Sequence, residues 1–233
     1  MAFVSADLQS WRHVLSPVEQ KKGAGMTDST EFWDKIARRY AARPIGDTHA
    51  YDTTLARTRA HLAPTDQVLE LGCGTGTTAL RLGADVGHLT ATDLSGEMIA
   101  IAQEKLAVDP HDNIDFRRAD VFDAAFEVGQ FDAILAYNFL HLLVDMTPTL
   151  ARVHRLLGPG GVFVSKTICL GRKAWHFRAL IAVLRVLGKA PPGIEFLDPD
   201  DVQAALRAAG FEILETADYP ARPRAHFIVA RKM

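Results

Sequence analysis

Three acidic residues stand where predicted strands of this chain end. Glu70 lies near the end of an apolar run, Asp93 ends the next β-favouring run, and Asp120 follows the third. Because open α/β sheets bind ligands at the carboxyl ends of their strands, we expect these carboxylates to face one ligand. Asp93 follows the glycine-rich loop at the spacing that suits ribose hydroxyls, Asp120 suits an adenine amino group, and Glu70 suits an ammonium group. A ribonucleoside with a zwitterionic tail fits this pattern better than a dinucleotide does.

A glycine-rich loop, Gly72-Cys-Gly-Thr-Gly76, lies between the first two acids. Glycines let a chain turn sharply from a strand into a helix and let its backbone pass close to a ligand. The helix expected from about Gly76 adds free backbone N–H groups. By itself such a loop also fits a plain tight turn. Its GxGxG spacing differs from the GxGxxG of pyrophosphate-binding loops, and Glu70 would repel a pyrophosphate.

Five segments are similar, in their order along the chain, to successive motifs of the class I S-adenosylmethionine-dependent methyltransferases. They are VLELGCGTGTTAL, TATDLSGEMI, FRRADVFD, FDAILAYNFLHLL and LLGPGGVFV. The resemblance covers roughly residues 31–233, and the ordered set is highly specific although no single member is. It implies S-adenosylmethionine as the cofactor and a seven-stranded sheet whose last strand is antiparallel.

The resemblance also implies roles for individual residues. In that family the acid before the loop lies near the methionine moiety, which maps to Glu70. The acid that ends the second strand binds ribose, and the acid after the third contacts adenine, which map to Asp93 and Asp120. Leu94 and Met98 would pack on the adenosine. The residues expected to contact the cofactor are Tyr40, Glu70, Gly72, Cys73, Gly74, Gly76, Asp93, Leu94, Met98, Asp120, Val121, Tyr137 and Asn138.

The segment 137–141 follows the fourth predicted strand, close to the expected methyl position. Methyl transfer from a sulfonium needs positioning more than acid–base groups, and a base only if the acceptor must lose a proton. His141 is the candidate base because its unperturbed pKa lies near neutrality, with packing or capping as the alternative. Tyr137 and Asn138 would contact either cofactor or substrate. The segment lacks the Asn-Pro-Pro-aromatic signature of enzymes that methylate nucleobases or glutamine amides, which disfavours those substrates.

Strand and helix signals alternate from residue 31 onward. The predicted strands are 68–71, 89–92, 114–117, 131–137, 162–167, 211–216 and 225–231. The predicted helices lie near 32–40, 50–62, 76 onward, 95–107, 147–157 and 199–209. We therefore predict the α/β class: a Rossmann-like, mostly parallel sheet of seven strands, with the last strand antiparallel and helices on both faces.

The chain is expected to form one domain, 30–233, preceded by a flexible arm, 1–29. An alternative is that Met26 is the true start. The helices within 30–62 are expected to form part of a lid; Tyr40 would close over the cofactor, whereas Trp33 would lie in the core.

Composition disfavours several classes of function. Among 233 residues the formal net charge is −2, which gives no basic footprint for nucleic acid. The nine histidines show no metal-ligand spacing, so we predict no metal site. Two cysteines fit a reducing, cytoplasmic location, and Cys73 reads as a small residue that fits the loop, with no basic neighbour to activate it. No apolar run is long enough for a transmembrane helix.

An insertion, 168–195, separates the fifth and sixth predicted strands. Its part 172–189 contains five basic residues and no acid, and Arg178, Arg185 and Lys189 fall on one narrow helical stripe in an otherwise apolar surface. Such a helix fits a lipophilic acceptor site or a peripheral membrane contact. Plain packing as a lid, or a contact between two copies of the chain, fits it as well.

The preferred function is methylation of oxygen, nitrogen or carbon on a small, lipophilic metabolite. A NAD-dependent oxidoreductase would need the pyrophosphate type of loop spacing, which is absent. A non-catalytic S-adenosylmethionine-binding protein would keep the loop and the acids but lack an acceptor pocket. A protein or nucleic-acid methyltransferase would need a basic or peptide-binding surface, which the composition does not support.

Overall fold

The computed structural model describes residues 17–171, 175–187, 190–191, 193–221 and 224–233. The helices are α1 Pro17–Ala41, α2 Thr48–Arg59, α3 Thr77–Leu82, α4 Gly96–Val108, α5 Thr147–Leu156, α6 Trp175–Val186 and α7 Pro199–Ala208. The strands are β1 Gln67–Leu71, β2 His88–Asp93, β3 Ile114–Arg118, β4 Phe131–Tyr137, β5 Leu157–Ile168, β6 Phe211–Ala221 and β7 Arg224–Lys232.

All of these strands belong to one sheet, in the order β3-β2-β1-β4-β5-β7-β6. The first five are mutually parallel, and β7 runs antiparallel to both β5 and β6. The predicted class and topology are confirmed. The strand order reverses between β1 and β4, which is the switch point where doubly wound sheets bind ligands.

Apolar side chains cover the sheet on both faces. In β4 the run from Ala133 to Ala136 is completely buried, as its unbroken apolar sequence predicts. One face packs under α5 and α7 through a cluster that includes Leu69, Ile134, Phe163 and Leu206. The other packs under α2, α3 and α4 through Val68, Leu135, Val164 and Phe227.

The N-terminal helix is longer than the sequence analysis predicts. Of the expected arm 1–29, residues 1–16 lie outside the described residues, and 17–29 belong to α1, which begins at Pro17 where the sequence analysis predicts no helix. Proline is favoured in the first turn of a helix, and the Glu, Gln, Lys and Ala residues that follow are good helix formers. Their combined preference outweighs the two glycines within this stretch.

The helix α1 docks on the beginning of α4. Ala37 is buried against Met98. The carboxylate of Asp34 accepts hydrogen bonds from the Ser95 hydroxyl at 2.5 Å and from the backbone N–H of Glu97 at 3.2 Å. The Ser95 side chain also caps α4, as predicted. One serine thus joins the two helices beside the end of β2.

The strand β5 begins earlier than predicted. The glycine-rich stretch 158–161 reads as a break before a strand at Val162, yet β5 starts at Leu157, directly after α5. Gly160 adopts a positive φ of 75°, which only glycine enters at little cost, and the pairing with β4 shifts register nearby. The glycines therefore bend the strand without ending it.

The helix α2 is held against two strands. The Asp47 side chain caps its first turn. Near its end the Arg57 guanidinium pairs with Glu215 of β6 at 2.6 Å, and the hydroxyl groups of Thr58 and Tyr137 share a hydrogen bond of 2.6 Å. These contacts fix α2 beside the carboxyl end of β4.

Candidate active site

In the glycine loop after β1, the first and last glycines pack closely against aromatic rings, whereas the middle glycine borders open space. Gly72, Gly74 and Gly76 all have positive φ. A Cβ on Gly72 would lie 2.7 Å from the Phe139 ring, and one on Gly76 would lie 2.6 Å from the Phe116 ring. A Cβ on Gly74 would meet no described atom within 4 Å. The middle of the loop is therefore where a ligand can approach the backbone.

The Asp93 carboxylate joins this loop to the next one. One oxygen accepts from the Gly74 N–H at 2.9 Å and the other from the Ser95 N–H at 2.9 Å. Burial raises the pKa of Asp93, and these backbone donors oppose the rise because they favour the charged form. The end of β2 is thereby fixed beside the end of β1, as the sequence predicts.

Glu70 is buried inside the site, with 2% of its surface exposed. Its Oε2 atom has no hydrogen-bond partner among the described residues. Burial, reinforced by the charge on Asp93, raises the pKa of Glu70 to about 8. An unpaired buried carboxyl of this kind fits a ligand with an ammonium group, which would provide the missing partner and favour the ionised form.

The remaining residues of the predicted nucleoside site differ in exposure. The Asp120 carboxylate accepts from the Phe122 N–H at 2.7 Å and is partly exposed at the end of β3. Leu94 is half-buried. Met98 and Val121 are almost fully buried within the protein, at 2% and 4% exposure. Asp120 and Leu94 are thus the members of this group with surface available to a ligand.

Tyr40 stands near the end of α1, with 42% of its surface exposed. Partial desolvation and then the charge of Asp93 raise the pKa of its phenol. Its ring meets that of Trp33 edge-on, with centroids 6.1 Å apart. Trp33 packs with the cluster formed by α1 and α4, as expected.

The segment after β4 carries the other predicted residues. Asn138 is exposed, has a positive φ of 53°, and donates its backbone N–H to the Lys166 carbonyl at 2.7 Å. His141 is buried in a short 3₁₀ turn, and its Nδ1 has no partner among the described residues. Burial lowers the pKa of His141 to about 4. The imidazole is therefore neutral at pH 7 and a weaker base than the sequence suggests.

Lys105 is a loop contact that sequence reasoning missed. Its Nζ donates to the Thr75 carbonyl at 2.9 Å, the Thr75 hydroxyl at 3.0 Å and the Thr77 hydroxyl at 2.8 Å. It thus clamps the glycine loop from α4. A lone lysine on a helix normally indicates a solvated surface, so no signal in the sequence set it apart.

A small cavity of about 40 Å³ opens beside the end of β4, and sequence reasoning missed it too. Its lining residues are Tyr51, Thr54, Leu55, Thr78, Tyr137, Asn138 and Lys166. The sequence feature that could have indicated this cavity is Lys166, because it is the one cation in the apolar run that forms the end of β5.

The insertion between β5 and β6 contains α6, which contacts the segment after β4 through residues 195 and 196. Arg178 stacks on the Phe196 ring at 5.1 Å, and the neighbouring Glu195 donates its N–H to the His141 carbonyl at 2.8 Å. Arg185 donates to the carbonyl groups of residues 191 and 194. These two arginines are directed toward the protein, and Lys189 of the predicted stripe lies outside the described residues.

Four apolar side chains are exposed on α6 and just after it, beside the exposed Arg178 and Arg185: Leu180, Val183, Val186 and Leu187 are 51 to 89% exposed. Of the helices in the described ranges, none has both the length and the apolar character needed to cross a bilayer. No cluster of three metal-ligating side chains occurs within those ranges either.

The sheet order, with the glycine loop and the acid at the end of β2 beside the switch point, defines a doubly wound α/β protein of the kind that binds ligands at this edge. The family described as "Methyltransferase domain" matches residues 68–161. A demethylmenaquinone methyltransferase of Clavibacter sepedonicus is 30% identical over 69% of this chain and 72% of its own length. A ubiquinone biosynthesis O-methyltransferase of Aromatoleum aromaticum is 29% identical over 64% of this chain and 65% of its own length.

Among solved structures, a geranyl diphosphate C-methyltransferase of Streptomyces coelicolor aligns with a TM-score of 0.69 at 13% identity. The alignment covers 89% of this chain and 97% of that one. The chain belongs to the class I S-adenosylmethionine-dependent methyltransferases, and S-adenosylmethionine is its cofactor.

Replacement of two loop glycines tests the division of the loop into packing ends and an open middle. Gly76→Ala should lower the free energy of unfolding by about 3 kcal/mol, because the new Cβ would meet Phe116 and Ala102 at a left-handed φ. Gly74→Ala should cost only about 1 kcal/mol, from its φ alone. Urea unfolding measures both. Equal losses would contradict the assigned difference in packing.

The protonation of Glu70 predicts a pH dependence of cofactor binding. Affinity for S-adenosylmethionine should rise between about pH 6 and about pH 8, because an ammonium group pairs with the ionised form. Below the pKa, binding should release a proton, which calorimetry detects in buffers of different ionisation enthalpy. Glu70→Gln removes this contribution and leaves only the titration of the ligand's own amino group. Identical profiles for the two proteins would rule out the assigned role.

Proposed function

We propose that this methyltransferase acts on a small, lipophilic acceptor. The observation that carries the proposal is the exposed apolar surface of α6, connected through Phe196 and Glu195 to the segment after β4. The names of the two curated relatives, which concern demethylmenaquinone and ubiquinone, support an acceptor of this kind. In this proposal α1, α2 and the insertion 168–195 together form the lid of the site.

We assign the cofactor to the edge formed by β1, β2 and β3. Glu70 faces the ammonium group, Asp93 the ribose hydroxyls and Asp120 the adenine, with Val121 supporting it from the core. The loop with Gly72, Cys73, Gly74 and Gly76 provides a close approach of the backbone; Leu94, Met98 and Tyr40 border the adenosine. The unpaired Oε2 of Glu70 and the open space at Gly74 support this assignment.

S-adenosylmethionine supplies a methyl group on a positively charged sulfur. The work left to the protein is to align an acceptor with that carbon and to exclude water. Tyr137 and Asn138, at the end of β4, are placed between the cofactor edge and the acceptor edge of the sheet. His141, neutral and buried, is better suited to hold the segment 193–195 through its carbonyl than to remove a proton.

Titration with S-adenosylhomocysteine tests the cofactor residues. We expect Asp93→Ala to weaken binding by roughly 10- to 100-fold, because charge-assisted hydrogen bonds to two hydroxyls would be lost. Asp112→Ala, at an exposed acid, is the matched control. Calorimetry measures both, with NAD as a parallel ligand. Unchanged affinity in a folded Asp93→Ala protein would remove the ribose assignment, and binding of NAD instead would overturn the proposed site.

A series of alkylated hydroquinones tests the lipophilic acceptor. The KM for methyl transfer should fall roughly fourfold for each methylene that becomes buried. Replacing both Leu180 and Val183 by serine should flatten this trend, whereas Val128→Ser, at an exposed valine elsewhere, should not. Indifference of KM to chain length in the unaltered enzyme would reject a lipophilic acceptor.

A further inference from the structure

Lys166 is a buried cation in the sheet, with 8% of its surface exposed. It lies in β5, within the apolar sequence VFVSKTI, and pairs with Tyr137 of β4 on one side and Phe227 of β7 on the other. Lysine is almost never buried unless it is paired, because the ammonium loses its hydration. A lysine at this place therefore calls for a partner.

The described residues give the Lys166 ammonium little compensation. Its Nζ donates to the Thr54 hydroxyl at 3.2 Å. That hydroxyl donates its own hydrogen to the Ala50 carbonyl at 2.7 Å, so its oxygen is free to accept. No carboxylate among the described residues lies within ion-pair distance of Nζ. An ammonium can make three hydrogen bonds, and this one has capacity to spare.

Lys166 lines the cavity of about 40 Å³ at the end of β4. Two other polar groups of its lining already have partners: Tyr51 pairs with Thr78 at 3.1 Å, and Tyr137 pairs with Thr58 at 2.6 Å. A space of this size holds about one water-sized group. It can admit a single oxygen atom of an acceptor while the acceptor's skeleton extends toward the exposed Asn138.

Lys166 lies on a different strand from the predicted cofactor residues, across the switch point of the sheet. The glycine loop, Glu70 and Asp93 lie on one side of the switch point, on β1 and β2. Lys166 lies on the other side, on β5, and its carbonyl accepts the N–H of Asn138 at the end of β4. A group on this side can reach an acceptor that approaches the methyl carbon from the β4–β5 edge.

We propose that Lys166 is the base for an acceptor with an acidic hydroxyl, a phenol or an enol. This inference rests on the proposed function of the same site. The neutral Lys166 amine takes the proton of the hydroxyl, and the electron pair of the broken O–H bond stays on the acceptor. The acceptor oxygen, or a carbon conjugated with it, then forms the bond to the methyl carbon while the C–S bonding pair remains on sulfur. The Lys166 ammonium stabilises the oxyanion until it reacts.

The electrostatic surroundings of Lys166 agree with this role. Burial lowers the pKa of its ammonium, and the charge of Asp47 opposes that change. The titratable side chains that line the same cavity are Tyr51 of α2 and Tyr137 of β4, and the neighbouring strand β7 carries His226 one residue before Phe227. Desolvation raises the pKa of both phenols, so neither is ionised near neutral pH.

Binding of 4-nitrophenol to the complex of the whole chain with S-adenosylhomocysteine tests the proposal, because its phenolate absorbs visible light and its phenol does not. We expect the bound dye to show the phenolate band at a pH where free dye is mostly protonated. Lys166→Met should reduce this enrichment at least about tenfold. Lys166→Arg should keep the band but release one proton to the buffer per dye bound, because a guanidinium cannot take the proton, whereas the unaltered enzyme should keep that proton on Lys166 and release none. His141→Gln should also keep it if Lys166, and not His141, is the base.

The affinity for S-adenosylhomocysteine separates the possible failures. We expect Lys166→Met to bind it within about threefold of the unaltered enzyme, with Lys166→Gln as a second variant if Lys166→Met does not fold. If the unaltered enzyme does not bind S-adenosylhomocysteine, the proposed function itself is overturned. The role of Lys166 alone would be overturned if the unaltered enzyme binds S-adenosylhomocysteine normally but does not bind 4-nitrophenol, or binds it only as the phenol. The same conclusion would follow if Lys166→Met binds the phenolate as well as the unaltered enzyme does.

Discussion

The binding edge of this enzyme depends on one carboxylate. Asp93 accepts the N–H of Gly74 in the first loop and the N–H of Ser95 in the second. Ser95 in turn donates to Asp34, so the N-terminal helix is joined to the same point. Because these bonds are short and partly buried, the two loops and the helix cannot move independently without leaving a polar group unpaired. A single acid thus fixes the geometry in which a nucleoside can be held.

The sequence predicted the sheet because its strands are continuous apolar runs separated by clear helical signals. The sequence also placed Glu70, Asp93 and Asp120 correctly at strand ends, since parallel strands bring their carboxyl ends to one edge. Its errors lie where the signal is local and ambiguous. The stretch 158–161 reads as a break between a helix and the next strand, but β5 already begins at Leu157 and passes through this stretch with a positive φ at Gly160. The first half of α1 has good helix formers but little apolar periodicity.

Other features required the three-dimensional structure. A neutral His141 with a pKa of about 4 follows from burial, which a histidine near the end of a strand does not reveal. Lys105 contacts a loop about 30 residues away, and its place in the sequence is that of an ordinary surface lysine. The sequence shows Lys166 as a cation in an apolar strand. Only the structure shows that it contacts Thr54 and lines a cavity, which is what suggests a role for it. A local sequence pattern predicts which side of a helix or strand is buried. The roles of these three residues depend on which helices and strands pack together, which the local pattern does not reveal.

Glu70 and Lys166 are both buried ionisable groups, and burial shifts their pKa values in opposite directions. Burial favours the uncharged form of each: it raises the pKa of the acid and lowers that of the ammonium. β4 lies between their strands, and neither side chain has an ion-pair partner among the described residues. In our proposals a ligand favours the charged form of each, an ammonium group that of Glu70 and an acidic hydroxyl that of Lys166. In these two proposals each reactant stabilises the charge at its own end of the site, the cofactor that of Glu70 and the acceptor that of Lys166, so that each end of the site responds to a different reactant.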